Sequence, residues 1–255
     1  IAKVIDFMPV SGADRSIVRI VEGLSGHVKM ETELVIRFDY GVTIPWVNRI
    51  DSKTISAVAG PNMLCVRTPV DIRGENMHSA ARFTVRKGER IPFVLSYRES
   101  HYQLPDVIDA DIALEQAEKY WADWIGTCRL KGKWRSEIVR SLLTLKSLSY
   151  QPTGGIVAAV TTSLPEQIGG SRNWDYRYCW LRDGYFVVNT LNRLGATKTM
   201  EHYLGYVINV AAGAENGVLQ PVYGIDGRAF LEEREIAALP NIRLRGLMVM
   251  EASFR

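Results

Sequence analysis

His27-Val28-Lys29-Met30-Glu31-Thr32-Glu33-Leu34-Val35-Ile36-Arg37-Phe38 alternates in character. Val28, Met30, Thr32, Leu34, Ile36 and Phe38 fall on one face, and Lys29, Glu31, Glu33 and Arg37 on the other. A period of two belongs to an extended chain with one wet face. Upstream, Ile1-Ala2-Lys3-Val4-Ile5-Asp6 reads as the middle of a strand. Downstream come shorter runs, Thr54–Val58, Met63–Thr68, Ala81–Val85 and Ile91–Tyr97. Gly60-Pro61-Asn62, Arg73-Gly74-Glu75-Asn76 and Lys87-Gly88-Glu89 punctuate them as turns. Short strands at regular intervals predict an antiparallel β-sandwich over residues 1–103.

The period changes after Leu104-Pro105-Asp106. Asp111–Cys128 places Ala113, Ala117, Tyr120, Trp121, Trp124 and Cys128 at helical spacing, which predicts a linking helix within residues 104–133. Trp134–Tyr150 sets Trp134, Ile138, Leu142, Leu145 and Leu148 on one helix face, stopped by Gln151-Pro152-Thr153-Gly154-Gly155. Two further helices are expected. One runs over roughly Asp183–Leu194 with Gly195 as its cap. The other runs over Thr197–Ala212, with Met200, Tyr203, Leu204, Val207 and Val210 facing inward. Strands followed by helical hairpins indicate an α+β chain of segregated layers, with a helical domain over 134–255.

The 255 residues suffice for one large domain or two modest ones, and 47% apolar with 23% charged residues is ordinary globular composition. A net charge of +3 without basic runs gives no reason to expect nucleic acid or an anionic membrane as partner. No run approaches the roughly 18 apolar residues of a membrane span. Cys65, Cys128 and Cys179 are far apart and form no CxxC, so they read as structural thiols in a reducing, cytoplasmic setting. His27, His78, His101 and His202 are scattered without metal-ligand spacing. Gly154-Gly155 and Gly169-Gly170-Ser171-Arg172 lack phosphate-loop spacing. Neither a metal nor an organic cofactor is expected.

Chemistry concentrates in Asn173-Trp174-Asp175-Tyr176-Arg177-Tyr178-Cys179-Trp180-Leu181-Arg182-Asp183, eleven residues with four aromatics, two Arg and two Asp. Burying so many charges is costly unless they are paired. Aromatic faces stack on the C–H face of a pyranose, while Asp accepts from and Arg donates to its hydroxyls. Asp183 also has a plainer reading as a helix N-cap. Glu232-Glu233-Arg234-Glu235 reads as a solvated helix face.

This stretch resembles glycoside hydrolase family 15, on its bacterial glucoamylase and α,α-trehalase-like side. So do Val4–Val10, Arg37-Phe38-Asp39-Tyr40-Gly41, Ser141–Lys146, Pro152–Ala159, Thr161–Glu166 and Leu219–Gly227. The resemblance implies a β-sandwich followed by an (α/α)6 barrel. It also implies inverting hydrolysis of α-linked glucosides from the non-reducing end, with α-glucan, maltooligosaccharide or trehalose as substrate. Two carboxyl groups roughly 6.5–9.5 Å apart would then act as acid and base. Carried over, Arg182 and Asp183 would bind the terminal glucose, and Trp180 and Tyr176 would wall its pocket. Asp175 and Arg177 would orient those groups, and Tyr223 and Asp226 would lie at the rim.

The likeness breaks after Leu239-Pro240, where Asn241–Met250 replaces the expected Gly-Tyr-x-Gly and Pro-Val-Arg-x-Gly-Asn segments. Glu232, Glu233, Glu235 and Glu251 do not occupy the family's acid and base positions, so no catalytic residue is assigned. The chain is expected to be a partial barrel, inactive alone. A truncated product, a frameshift near position 240 and a fragment all fit. Helix faces left uncovered would favour self-association. The alternative to a hydrolase is a sugar-binding or regulatory remnant without catalysis, or a non-functional product.

Overall fold

A computed structural model describes residues 1–10, 14–130, 132–161, 167, 174–214 and 217–229. They fall into two compact units divided between Tyr120 and Trp121.

The first unit is β-rich. Strands β1 (Ala2–Phe7), β2 (Arg15–Gly23), β3 (His27–Leu34), β4 (Trp46–Arg49), β5 (Thr54–Ala59), β6 (Asn62–Arg67), β7 (Arg73–Glu75), β8 (His78–Arg86) and β9 (Arg90–Glu99) follow in order. Every pairing among them is antiparallel. One sheet has six strands in the order β1-β2-β9-β6-β5-β4, and the other three in the order β3-β8-β7.

The period of two is realised in β3, where Lys29, Glu31 and Glu33 are exposed and Val28, Met30, Thr32 and Leu34 are half-buried. The strand ends at Leu34, short of the expected Phe38. Phe38 instead bridges to Thr43 around a corner with left-handed Asp39 and Tyr40. Ile36, Phe38, Ile55, Leu64, Val66, Ala81 and Tyr97 form one core cluster, drawn from both sheets. β2 was not expected. Its Ile17-Val18 and Ile20-Val21 doublets break the alternation in sequence: Val18 and Ile20 are buried on one face, while the other face mixes buried Val21 with half-exposed Arg19.

Helix α1 spans Ala110–Gly126 and crosses the division between the units. Asp109 caps it, its Oδ1 accepting from the backbone N–H groups of Asp111 and Ile112 at 3.0 and 3.1 Å. Buried Ala110 packs with Val18, Ile20 and Val94. Of the residues read at helical spacing, Ala113 and Ala117 are buried and Tyr120 is exposed.

The second unit contains α2 (Arg135–Ser147), β10 (Cys179–Trp180), α3 (Leu181–Arg193), α4 (Thr197–Ala212) and β11 (Val222–Tyr223). These are a few helices with a small ladder, and a complete barrel is not formed among the described residues. Two clusters make its core. Leu142, Leu191 and Ala196 centre one, and Ile156, Cys179, Val188, Tyr203, Tyr206, Val210 and Tyr223 form the other.

Two expected inner positions are corrected. Trp134 precedes α2 and is 60% exposed, and Leu204 is 50% exposed on the outer side of α4. Tyr206 takes the inner place on α4, 2% exposed. Gly195, at φ 93°, ends α3 in the left-handed conformation that its lack of a Cβ permits. Gly184 lets α3 and α4 approach closely, since a Cβ there would lie 2.4 Å from the Tyr203 hydroxyl oxygen. Among the described residues no helix is long and apolar enough to cross a membrane.

Candidate functional site

The aromatic, charged stretch lies where β10 becomes α3. Trp180 is the N-cap, extended at φ −81° and ψ 119°, and makes no side-chain cap bond. Asp183 is therefore the third residue of the helix rather than its N-cap, correcting the plainer reading. A carboxylate in the first turn is favoured by the partial positive charge of the helix N-terminus.

Arg182 donates to Asp183 Oδ2 from Nη2 at 3.0 Å and from Nε at 3.2 Å. Their side chains are 75% and 35% exposed, so both keep polar atoms open to solvent. Tyr176 is 39% exposed, and its carbonyl accepts from the Ala159 N–H at 2.8 Å. The Tyr178 carbonyl accepts from the Ala158 N–H at 3.1 Å, fastening residues 156–159 along the stretch. The rings of Trp174 and Trp180 meet edge to face at 6.0 Å. Trp180 Nε1 is buried, with no hydrogen-bond partner among the described residues.

Asp175 and Arg177 form a close pair. Arg177 donates from Nη2 to Oδ2 at 2.6 Å and from Nε to Oδ1 at 2.9 Å, and its backbone N–H also reaches Oδ1 at 2.9 Å. Their side chains are 14% and 26% exposed, so the pair stiffens the bend ahead of β10.

Antiparallel pairing of Cys179 with Tyr223 and Trp180 with Val222 brings the Gln220–Arg228 loop against this stretch. Tyr223 was expected at a pocket rim. Its ring is instead 3% exposed in the core, and its hydroxyl accepts from the Gln220 N–H at 2.8 Å. The physical reason is the ladder, which turns the Tyr223 side chain into the cluster holding Cys179 and Tyr206. Asp226 is part-exposed and pairs with Arg228 at 2.8 Å. It borders a cleft of about 240 Å³ lined also by Pro152, Thr153, Tyr206, Asn209, Val210 and Gly227. Thr153 and Tyr206 were not singled out from the sequence, although Thr153 sits in the quoted Pro-Thr-Gly-Gly run.

Burial pushes the Cys179 thiol up to about 11 and the Tyr203 hydroxyl up to about 12, and raises Tyr206 further. All three cysteines are free. No cluster of three potential metal ligands occurs among the described residues. Asn173, Thr162–Glu166, Gly169–Arg172, Glu232, Glu233, Glu235 and Glu251 lie outside the described residues.

Comparison with known proteins shows what the chain is similar to. Residues 132–245 match the model of the glycosyl hydrolases family 15. A trehalase of Thermoplasma acidophilum is 31% identical over 240 residues, which cover 92% of this chain and 41% of that protein. A Mycobacterium tuberculosis trehalase is 33% identical over 237 residues, covering 88% of this chain and 34% of it. The chain thus spans between a third and about two fifths of these curated relatives. A putative kojibiose phosphorylase from human microbiome superposes with a TM-score of 0.51 at 9% identity, covering 89% of this chain and 38% of that one. At that identity it bears on the fold alone, antiparallel sheets followed by helices.

The chain accordingly resembles the glycoside hydrolases. More narrowly, it is a family 15-like protein with trehalase-like sequence along about nine tenths of its length.

Proposed function

We propose that Tyr176, Trp180, Arg182 and Asp183 hold the terminal glucose of an α-linked glucoside, within an enzyme that hydrolyses that bond with inversion. The observation that carries this reading is the Arg182–Asp183 pair, fixed in the first turn of a helix capped by Trp180 yet open to solvent. A forked donor next to a carboxylate matches vicinal hydroxyls, each of which donates and accepts. Trp180 and Tyr176 supply apolar surface for the sugar's C–H face. Asp175 and Arg177 support from behind, because their bidentate pair and the Arg177 N–H bond to Asp175 stiffen the bend ahead of β10. We assign Asp226 to the rim, a reading supported by the cleft it borders. Tyr223 contributes from the core, by holding that loop.

Trehalose is the first candidate substrate, since the chain is about a third identical to trehalases along some nine tenths of its length. Maltooligosaccharide and α-glucan share the same terminal unit. No residue of this chain is assigned the acid or base role. Three free cysteines, with Cys65 and Cys179 buried, support a reducing, cytoplasmic setting. Unit domains over 1–103 and 134–255 joined by a linking helix remain the proposed division.

Calorimetric titration of the chain with trehalose and maltose tests the site. Asp183→Asn should weaken binding by at least tenfold, as loss of charged hydrogen bonds costs about 1.5–3 kcal/mol. Equal affinity in a folded Asp183→Asn chain, or no sugar binding by the folded parent, would overturn the assignment.

A further inference from the structure

The β10–β11 ladder has two residues on each side, too short to persist by its own bonds. Yet it directs the glucose-facing groups. The Leu181 N–H, first of α3, donates to the Pro221 carbonyl at 3.1 Å, so the strand carrying β11 sets the start of the helix bearing Arg182 and Asp183. Something else must therefore hold the loop.

Two hydroxyls from distant parts of the unit do so. Tyr206, on α4, donates from its hydroxyl to the Gly224 carbonyl at 2.7 Å. Thr153, in the bend after α2, donates from Oγ1 to the Ile225 carbonyl at 2.6 Å, and the same oxygen accepts from the Gly155 N–H at 3.2 Å. Adjacent carbonyls of one turn are thus tied to two different elements. Behind them the packing is close, since a Cβ on Gly155 would meet Cys179 Sγ at 3.1 Å, the Ile225 oxygen at 3.1 Å and the Tyr206 ring at 3.2 Å. The turn adds bonds of its own, Gly224 N–H to the Arg228 carbonyl at 2.8 Å and Gly227 N–H to the Gly224 carbonyl at 2.9 Å. Buried carbonyls need partners: losing the Thr153 hydroxyl takes from the Ile225 carbonyl its tie to the bend after α2, and losing the Tyr206 hydroxyl leaves the Gly224 carbonyl with only the Gly227 N–H of its own turn, so either loss frees the turn from a neighbouring element.

We propose that Tyr206 and Thr153 are positioning residues, a two-point latch on the Gly224–Ile225 turn that sets the Trp180–Asp183 helix start and, through it, affinity for the sugar. The last clause rests on the proposed glucose site, while the latch itself does not. Neither hydroxyl is placed against substrate, because each is engaged with a backbone carbonyl.

Hydrogen exchange with mass spectrometry on the full chain tests the latch. Tyr206→Phe and Thr153→Val keep ring or shape and remove one hydroxyl each, and Thr153→Ser restores it. Peptides covering residues 178–183 and 221–228 should exchange at least tenfold faster in the first two variants and like the parent in Thr153→Ser. Peptides of α2 should not change. Trehalose dissociation constants should rise about fivefold or more in the first two and return in Thr153→Ser. Unchanged exchange in both peptides overturns the latch, and faster exchange with undiminished trehalose affinity overturns its control of sugar binding. If Tyr206→Phe loses protection everywhere, Thr153→Val decides. If the parent binds no trehalose, the glucose site fails, and the latch stands or falls on exchange alone.

Discussion

Cys179 shows how a single side chain makes this fold sensitive to pH. It is 1% exposed, at the junction of β10, Gly155 and Tyr206, and burial lifts its thiol from 9.0 to about 11. The folded state therefore holds the proton more tightly than the unfolded one. The resulting stabilisation is complete below pH 9 and is lost as pH climbs through about 11. Two units correspond to about 2–3 kcal/mol. Tyr203 adds a loss of the same sign, from its ordinary 10.0 to about 12. The urea midpoint of the second unit should fall between pH 9 and 11, and Cys179→Ala should flatten that fall. An equally steep fall in Cys179→Ala would mean that the thiol is not responsible. Lys146 acts in the opposite direction, since burial lowers its affinity for the proton and raising pH toward 10.5 relieves that cost.

At the scale of elements, the α3–α4 hairpin depends on Gly184. A methyl group there would lie 2.4 Å from the Tyr203 hydroxyl oxygen and 2.6 Å from Cζ, in a core with little room to yield. Gly184→Ala should destabilise the second unit by about 1–3 kcal/mol, the usual cost of overpacking. Tyr203→Phe removes the nearest atom, along with its 3.3 Å hydrogen bond to the Leu181 carbonyl. The double variant should recover part of the loss, and a thermodynamic cycle from urea unfolding reads that coupling directly. In the first unit, Asp109→Ala should cost about 1 kcal/mol by leaving the Asp111 and Ile112 N–H groups uncapped.

At the scale of the whole molecule, apolar side chains left in water are the conspicuous feature. Tyr185 and Phe186 on α3 are 58% and 61% exposed, and Leu204 and Ile208 on α4 are 50% and 65% exposed. Soluble monomers seldom leave such groups together, so these helices should drive self-association. Sedimentation velocity should show mass rising with concentration, and Phe186→Glu with Ile208→Glu should abolish the rise. Concentration-independent monomers of the parent would refute this.

Local pattern and sequence motifs determined a good deal. The alternation in His27–Leu34 marked a strand, the turn signals at Gly60 and Gly88 marked hairpins, and helical spacing marked α1, α2 and α4, because these depend on neighbours a few residues away. The Trp-Leu-Arg-Asp run at a helix start was legible for the same reason, as was the family it resembles. Only tertiary structure decided the rest. β2 escaped because its apolar doublets erase a period of two, with Val21 buried on the face that also carries half-exposed Arg19. Tyr223 moved from rim to core, and Leu204 outward in favour of Tyr206, because the partners that choose their orientation come from distant segments. Thr153 and Tyr206 bear no local mark of their role, since a hydroxyl bonded to a backbone carbonyl from another element leaves no spacing in the chain. Short-range geometry is written into consecutive residues, whereas long-range pairing is settled only when burial forces each polar group to find a partner.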